Sequence, residues 1–325
     1  MWVIDRVDGV EQKGCLLTSK LYFSLDIVKV NPKNARMLSL SKYGSERMPT
    51  VVNRSLAEKL ENAEIDCLIS RLAGIKEIKG NPMGVEFQKF ESATAFTVKN
   101  IPGPAFNTVK GLKKGNEREV ERIINFYRKK KIPARFELSP SGTSPDLFAN
   151  LSKKGFYHHD FHTVLFRSLS SNIQIIKTSI SPGITIRELK RHEFGLFADI
   201  YTNGFQMPSF LKQSVAENNE VLYDNKDWTF YLAIIENEPA GIGVLFMKNG
   251  IATLAAAATL PEFRNRGVQS ALISHRINQA YIHGCYLITG QAKFGSVSQN
   301  NMEREGLKVA VAYTKSIWIK RDDVA

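Results

Sequence analysis

The stretch Ala258-Thr259-Leu260-Pro261-Glu262-Phe263-Arg264-Asn265-Arg266-Gly267-Val268-Gln269-Ser270 decides the reading of this chain. Upstream of it, Ile251–Thr259 is a β-branched and alanine-rich run that reads as a strand. Downstream, 268–283 carries Leu272, Ile273, Ile277 and Ala280 as an apolar stripe at helical spacing. A strand thus runs into a basic, glycine-containing loop that opens a helix. The first-turn amides of such a helix lack partners and carry the positive end of its dipole. Arg264 and Arg266 add charge, and Gly267 lets backbone approach a ligand with no Cβ in the way. A turn of this kind suits phosphates. It lacks the three glycines of the dinucleotide fingerprint and the Gly-Lys-Ser/Thr end of a triphosphate loop.

Around this core the second half is regular. Strands are predicted at 184–189, Trp228–Ile235, 240–246 and 285–289, with a last one at 308–318. Asn249-Gly250 is a strong hairpin signal, and 191–203 and 297–305 read as helices. An antiparallel meander, one crossover helix and a parallel neighbour make an α/β domain.

The loop resembles that of the GNAT acyltransferase superfamily, Arg/Gln-x-x-Gly-x-Gly/Ala. Arg264, Gly267 and the preceding Thr259-x-Pro261-Glu262-Phe263 match, while Gln269 replaces a small residue. Ser298 through Leu307, with Asn301 and Gly306, looks like the family's last helix. The resemblance covers about 184–320. It implies transfer of an acetyl group from acetyl-CoA, as acyl donor, to a primary amine of a small-molecule or peptide acceptor. Backbone of Gly267, Val268, Gln269 and Ser270 would hold the pyrophosphate, with Arg264, Asn265 and Arg266 nearby. The strand Ala256–Thr259 would splay from its neighbour, pair with the pantetheine and offer an amide to the thioester carbonyl, with Ala258 and Thr259 at the cofactor. Asn301 would hold the pantetheine arm, and Tyr201, Phe205 and Pro208 lie where the acceptor wall is built. Many members protonate the leaving thiolate with a tyrosine in the last helix. Met302 fills that slot here, leaving Tyr313 as the nearest replacement for the catalytic acid. Glu193 or Glu262 could act as base through water. No metal is implied: His192, His275 and His283 show no ligand spacing.

The first half reads as a degenerate copy. A helix-like run at 55–72 precedes the turn Gly80-Asn81-Pro82, strands Val85–Phe90 and Ala93–Val98, a helix at 117–131, strand Arg135–Leu138, a short helix at 146–153 and a strand at 162–166. One constant offset lays Gly155 on Gly306, Asn150 on Asn301 and Thr108 on Thr259. Lys113-Lys114-Gly115-Asn116-Glu117-Arg118-Glu119 then stands in place of the basic loop. Glu117 and Glu119 in a first turn favour the helix and repel a phosphate. One acetyl-CoA site per chain is expected. The predicted fold is α/β, an α+β mixed sheet, as two tandem GNAT-like domains, each a mostly antiparallel sheet flanked by helices. Their expected bounds are 48–170 and 184–325, with an N-terminal extension at 1–47 and a linker at 171–183.

The 325 residues accommodate two domains, and 43% hydrophobic with 23% charged residues excludes whole-chain disorder. The formal charge of +12 suits an anionic ligand, yet no long basic tract occurs, so nucleic acid is an unlikely partner. No apolar run approaches a membrane span, and three scattered cysteines provide neither a disulfide framework nor a thiolate cage, so a cytoplasmic location is expected. Two rival functions stay open: a non-catalytic acyl-CoA-binding or regulatory protein, and an aminoacyl transferase using charged RNA. Oligomeric state is not legible.

Overall fold

In the N-terminal half, α1 (Arg54–Glu77) precedes β1 (Val85–Phe90), β2 (Ala93–Val98) and β3 (Thr108–Lys110). The half continues with α2 (Glu119–Lys130), β4 (Arg135–Leu138), α3 (Pro145–Lys153) and β5 (Phe156–Ser168). This computed structural model describes residues 52–101, 103, 105–169, 183–310 and 315–320. The C-terminal half runs β6 (Ile184–Glu188), α4 (Phe194–Gly204), α5 (Lys212–Glu220), β7 (Trp228–Ile235), β8 (Glu238–Lys248) and β9 (Ile251–Thr259). It ends with α6 (Val268–Ile282), β10 (Leu287–Lys293), α7 (Val297–Arg304), β11 (Lys308–Val309) and β12 (Lys315–Lys320). Helix starts follow local chemistry. Asn53, Ser144 and Ser296 cap α1, α3 and α7 by accepting the N–H of Leu56, Leu147 and Gln299.

Among the described residues the strands join one sheet in the order β1-β2-β3-β4-β12-β5-β10-β9-β8-β7-β6, with β11 also on β5. Each half is an antiparallel meander followed by a parallel pair across a helix: β3 and β4 across α2, β9 and β10 across α6. The halves exchange their last strands. β12 lies between β4 and β5 of the first half, and β5 lies against β10 of the second. The sheet is therefore continuous across the two halves. This is the tandem mixed architecture anticipated above.

Several features differ from the sequence reading, among them β3, a short strand at Thr108–Lys110 that was not foreseen. The strand expected at 162–166 runs the 13 residues of β5, because β12 pairs with its polar first half, Phe156 to His162, while β10 pairs with His162 to Ser168 on the other edge. The single strand expected at 308–318 is two, β11 and β12. α5 carries no clear apolar stripe and was not foreseen; Val215 and Ala216 pack on a core formed by Phe194, Phe197, Trp228 and Phe230. The expected extension at 1–47, most of the linker and Tyr313 lie outside the described residues.

α1 ties the halves together. Leu68, Leu72 and Ile75 pack with Val85, Phe96 and Val98 of the first half. From the second half, Trp228 donates its indole N–H to Ser70 at 2.9 Å, and Lys248 pairs with Asp66 at 3.0 Å.

Candidate active site

β9 and β10 are paired only where Ile251, Ala252 and Thr253 meet Leu287, Ile288 and Thr289. β9 then continues to Thr259, while β10 continues to Lys293 paired with β5 on its other edge. Beyond Thr253 the two parallel strands diverge and leave an open edge on β9. A bulge assists the divergence: Ala256 faces Val244 and Leu254 faces Leu245, so Ala255 is an extra residue. The Leu260 N–H donates to Ala240 O at 3.0 Å, which makes that a hydrogen-bonded antiparallel pair. Alternation along the ladder turns the backbone groups of Ala258 and Ala256 toward β8. Those of Thr259 and Ala257 face the opening. Of the two strand residues expected to meet a ligand, Thr259 thus presents its amide to the gap. The backbone of Ala258 turns to β8 and that of Ala257 faces the gap; the bulge sets this phase and leaves no mark in the sequence.

The loop after β9 makes a single turn of 3-10 helix at Pro261–Phe263, and Asn265 and Gly267 take left-handed φ of 61° and 84°. The first hydrogen bond of α6 runs from the Ala271 N–H to Gly267 O. The amides of Val268, Gln269 and Ser270 are therefore left unused by the helix, beside the opening. Both arginines of the loop are engaged elsewhere: Arg264 donates to Gly204 O at 2.9 Å, and exposed Arg266 pairs with Glu236 at 2.8 Å. Neither of these contacts involves the first turn of α6.

Gln269 forms a bridge that the sequence did not reveal. Its amide N–H donates to Ser298 Oγ at 3.3 Å, and its Oε1 accepts from Asn301 Nδ2 at 2.6 Å. Asn301 Oδ1 in turn accepts from Arg304 at 2.9 Å. The side chain that replaces a small residue thus links the start of α6 to α7, and it uses one donor of Asn301.

Met302 is buried, with its sulfur over Gly290 of β10, where a Cβ would approach Sδ to 2.7 Å. It is part of the hydrophobic core beneath α6 and supplies no proton. Glu193 holds Arg187 through two hydrogen bonds of 2.6 and 2.7 Å. Those bonds lower its carboxyl pKa to about 2, too low for an effective general base near neutrality. Glu262 is exposed on the 3-10 turn. His275 stands edge-on to Tyr231, and burial followed by Arg276 lowers its pKa. His283 donates its Nδ1–H to Gln279 O, 2.8 Å away. No group of three metal-ligating side chains occurs among the described residues.

The end of α4 closes the opening from one face. A Cβ on Gly204 would lie 2.9 Å from Ala258 Cβ and 3.2 Å from Thr259 O. Tyr201 packs on Phe205 at 4.7 Å and stacks on Phe197 at 5.9 Å between ring centres. Burial raises the Tyr201 pKa, opposed by the nearby Arg71 of α1. Arg71 itself donates to Asn219 Oδ1 at 2.9 Å and lies 4.7 Å over the Trp228 ring. This cation comes from the other half of the chain, and nothing in the sequence placed it here.

The corresponding loop of the first half is built differently. Gly115 N–H donates to the Glu117 carboxylate at 3.0 Å, so the chain's own anion takes an amide that a phosphate would use. β3 and β4 share one paired position, Val109 with Phe136. Lys110 beside it is buried with Glu64, at 2.6 Å, and with Glu137.

Residues 196–298, from α4 to the start of α7, match the acetyltransferase (GNAT) family. No curated protein matches the sequence. Among solved structures, a GCN5-related N-acetyltransferase from Kribbella flavida superposes with a TM-score of 0.59 at 12% identity, over 82% of this chain and 96% of that one. A tandem GNAT protein from the clavulanic acid biosynthesis pathway gives 0.54 at 10% identity, over 81% and 94%. A conserved protein of unknown function from Staphylococcus epidermidis gives 0.55 at 13%, over 76% and 96%. At these identities the likeness is one of fold. Among the described residues no helix is long and apolar enough to cross a membrane. The chain thus carries a match to the acetyltransferase (GNAT) family over residues 196–298 of its C-terminal half, and its fold is like that of a tandem GNAT protein.

Proposed function

We propose that the protein is an N-acetyltransferase with one acetyl-CoA site, in its C-terminal half, acting on a primary amine. The observation that carries this reading is the divergence of β9 from β10 beside the unused amides of α6. Those residues fit the donor: Val268 to Ser270 present N–H groups to a pyrophosphate, and the open β9 edge presents N–H and C=O to an extended pantetheine arm. Asn301 keeps one amide hydrogen for that arm. The donor supplies an activated acetyl group. A neutral amine attacks the thioester carbonyl carbon, a C–N bond forms, and the carbonyl oxygen takes the electron pair. Collapse breaks the C–S bond, and the proton lost from nitrogen ends on the departing thiolate to give the free thiol of coenzyme A. The chain contributes positioning, a backbone donor for the oxyanion and a wall that excludes water. Glu117 in the first half argues against a second site.

Thiol release from acetyl-CoA across polyamines, aminoglycosides, amino acids and peptides tests the activity. Turnover with one class supports it. Binding without turnover on any amine favours the rival of a non-catalytic acyl-CoA-binding protein, to which buried Met302 in the acid slot lends support.

A further inference from the structure

Arg276 is the largest fully buried side chain in the described chain, 1% exposed, and among the described residues no carboxylate pairs with it. Its guanidinium reaches the β9 bulge from α6. Nε donates to Leu272 O at 2.9 Å, and one Nη donates to both Val244 O, at 3.1 Å, and Ala256 O, at 3.0 Å. β8 makes room for it with Gly243, where a Cβ would lie 3.1 Å from Nε. Burial lowers its pKa to about 10, so it is a cation at neutral pH. A buried charge is expensive, and a leucine or methionine would fill the same space without that expense. The position explains the charge. Ala256 C=O belongs to the peptide whose N–H is that of Ala257, and the Ala257 N–H faces the opening between β9 and β10.

We infer that Arg276 is a positioning residue for acyl transfer: by hydrogen-bonding the Ala256 carbonyl it fixes the bulge and polarises the Ala256–Ala257 peptide, strengthening the Ala257 N–H as oxyanion donor. This inference rests on the acetyl-CoA reading of the same site. A charged donor on one end of a peptide makes its other end a better donor, because hydrogen bonds in a chain reinforce one another. The strengthened N–H meets the thioester oxygen as it gains negative charge, which stabilises the transition state more than the ground state. Arg276 touches no reacting atom. Its removal therefore acts on turnover and spares donor affinity.

The test uses the full-length protein with acetyl-CoA carrying carbon-13 at the acetyl carbonyl, read by infrared difference spectroscopy. A stronger hydrogen bond lowers the thioester carbonyl stretching frequency. In the native protein the stretch should lie below that of free acetyl-CoA. In Arg276→Met, which keeps the packing and removes the charge, it should return toward the free value. Turnover should fall about 10-fold, less than the about 10²–10³ expected for loss of a whole oxyanion donor. Acetyl-CoA affinity should stay within a few fold, and Arg276→Lys should restore part of both signals. Should Arg276→Met fail to fold, Gly243→Ala displaces the guanidinium and carries the same readout. A native-like frequency in the variant that folds and binds overturns the inference. So does a native protein that binds acetyl-CoA with the free frequency. A native protein that binds no acetyl-CoA overturns the functional reading, and the inference falls with it.

Discussion

Replacing Gln269 with alanine should tighten acetyl-CoA binding. The side chain bridges α6 to α7 through a bond of 3.3 Å to Ser298 and one of 2.6 Å from Asn301. The spare amide hydrogen of Asn301 allows a first contact with the pantetheine arm, and full seating of the arm between these helices is expected to displace the bridge. Each such bond contributes about 0.5–1.5 kcal/mol net, and the longer one sits at the weak end. Opening the bridge therefore opposes binding by about 1–2 kcal/mol, or roughly 5–30-fold in affinity. Gln269→Ala removes that opposition and frees both the second amide hydrogen of Asn301 and the Ser298 hydroxyl for the ligand. Isothermal titration calorimetry with coenzyme A and acetyl-CoA, native against variant, measures it. The unliganded variant should also melt a few degrees lower, since it loses the same bonds. Unchanged affinity would refute the reasoning by showing that the bridge is not in the ligand's path. Weaker affinity would show that Gln269 is itself a ligand contact.

Other perturbations separate the two halves. Gly267→Val should abolish acetyl-CoA binding, since it puts a branched side chain on a left-handed residue at the α6 start; Gly115→Val should leave affinity intact, and calorimetric stoichiometry should be near one. Lys110→Met strips half-buried Glu64 and buried Glu137 of their shared ammonium and should lower stability by about 3–5 kcal/mol, read from urea midpoints. The Glu193 carboxyl is held down to about 2 from its usual 4.5 by Arg187, so its contribution is complete above that usual value and is lost as pH falls toward 2. Urea midpoints of native protein and Glu193→Gln should therefore differ at pH 7 and converge at about pH 2; a constant gap across that window would refute the assignment.

What the sequence determined by itself is local. The strand Ile251–Thr259, the glycine at 267 and the stripe Leu272, Ile273, Ile277 of α6 are legible because strand period, left-handed φ and helical period are set by neighbours a few residues apart. The same logic found the weak loop at Gly115, since Glu117 lies two residues away. Tertiary structure decided the rest. Which strand ends beside which is fixed by the exchange of β5 and β12, whose pairing residues lie on opposite sides of the chain. The phase of the β9 amides depends on a bulge that only the pairing with β8 creates. Arg276 reads as one more polar residue of a helix until β8 and β9 fold beneath it, and Arg71 as a solvated helix face until α5 and Trp228 cover it. Each of these contacts joins residues far apart in the chain, so side-chain chemistry alone gives no signal of where the charge comes to rest. Burial beside particular carbonyls and rings turns an ordinary arginine into part of a site.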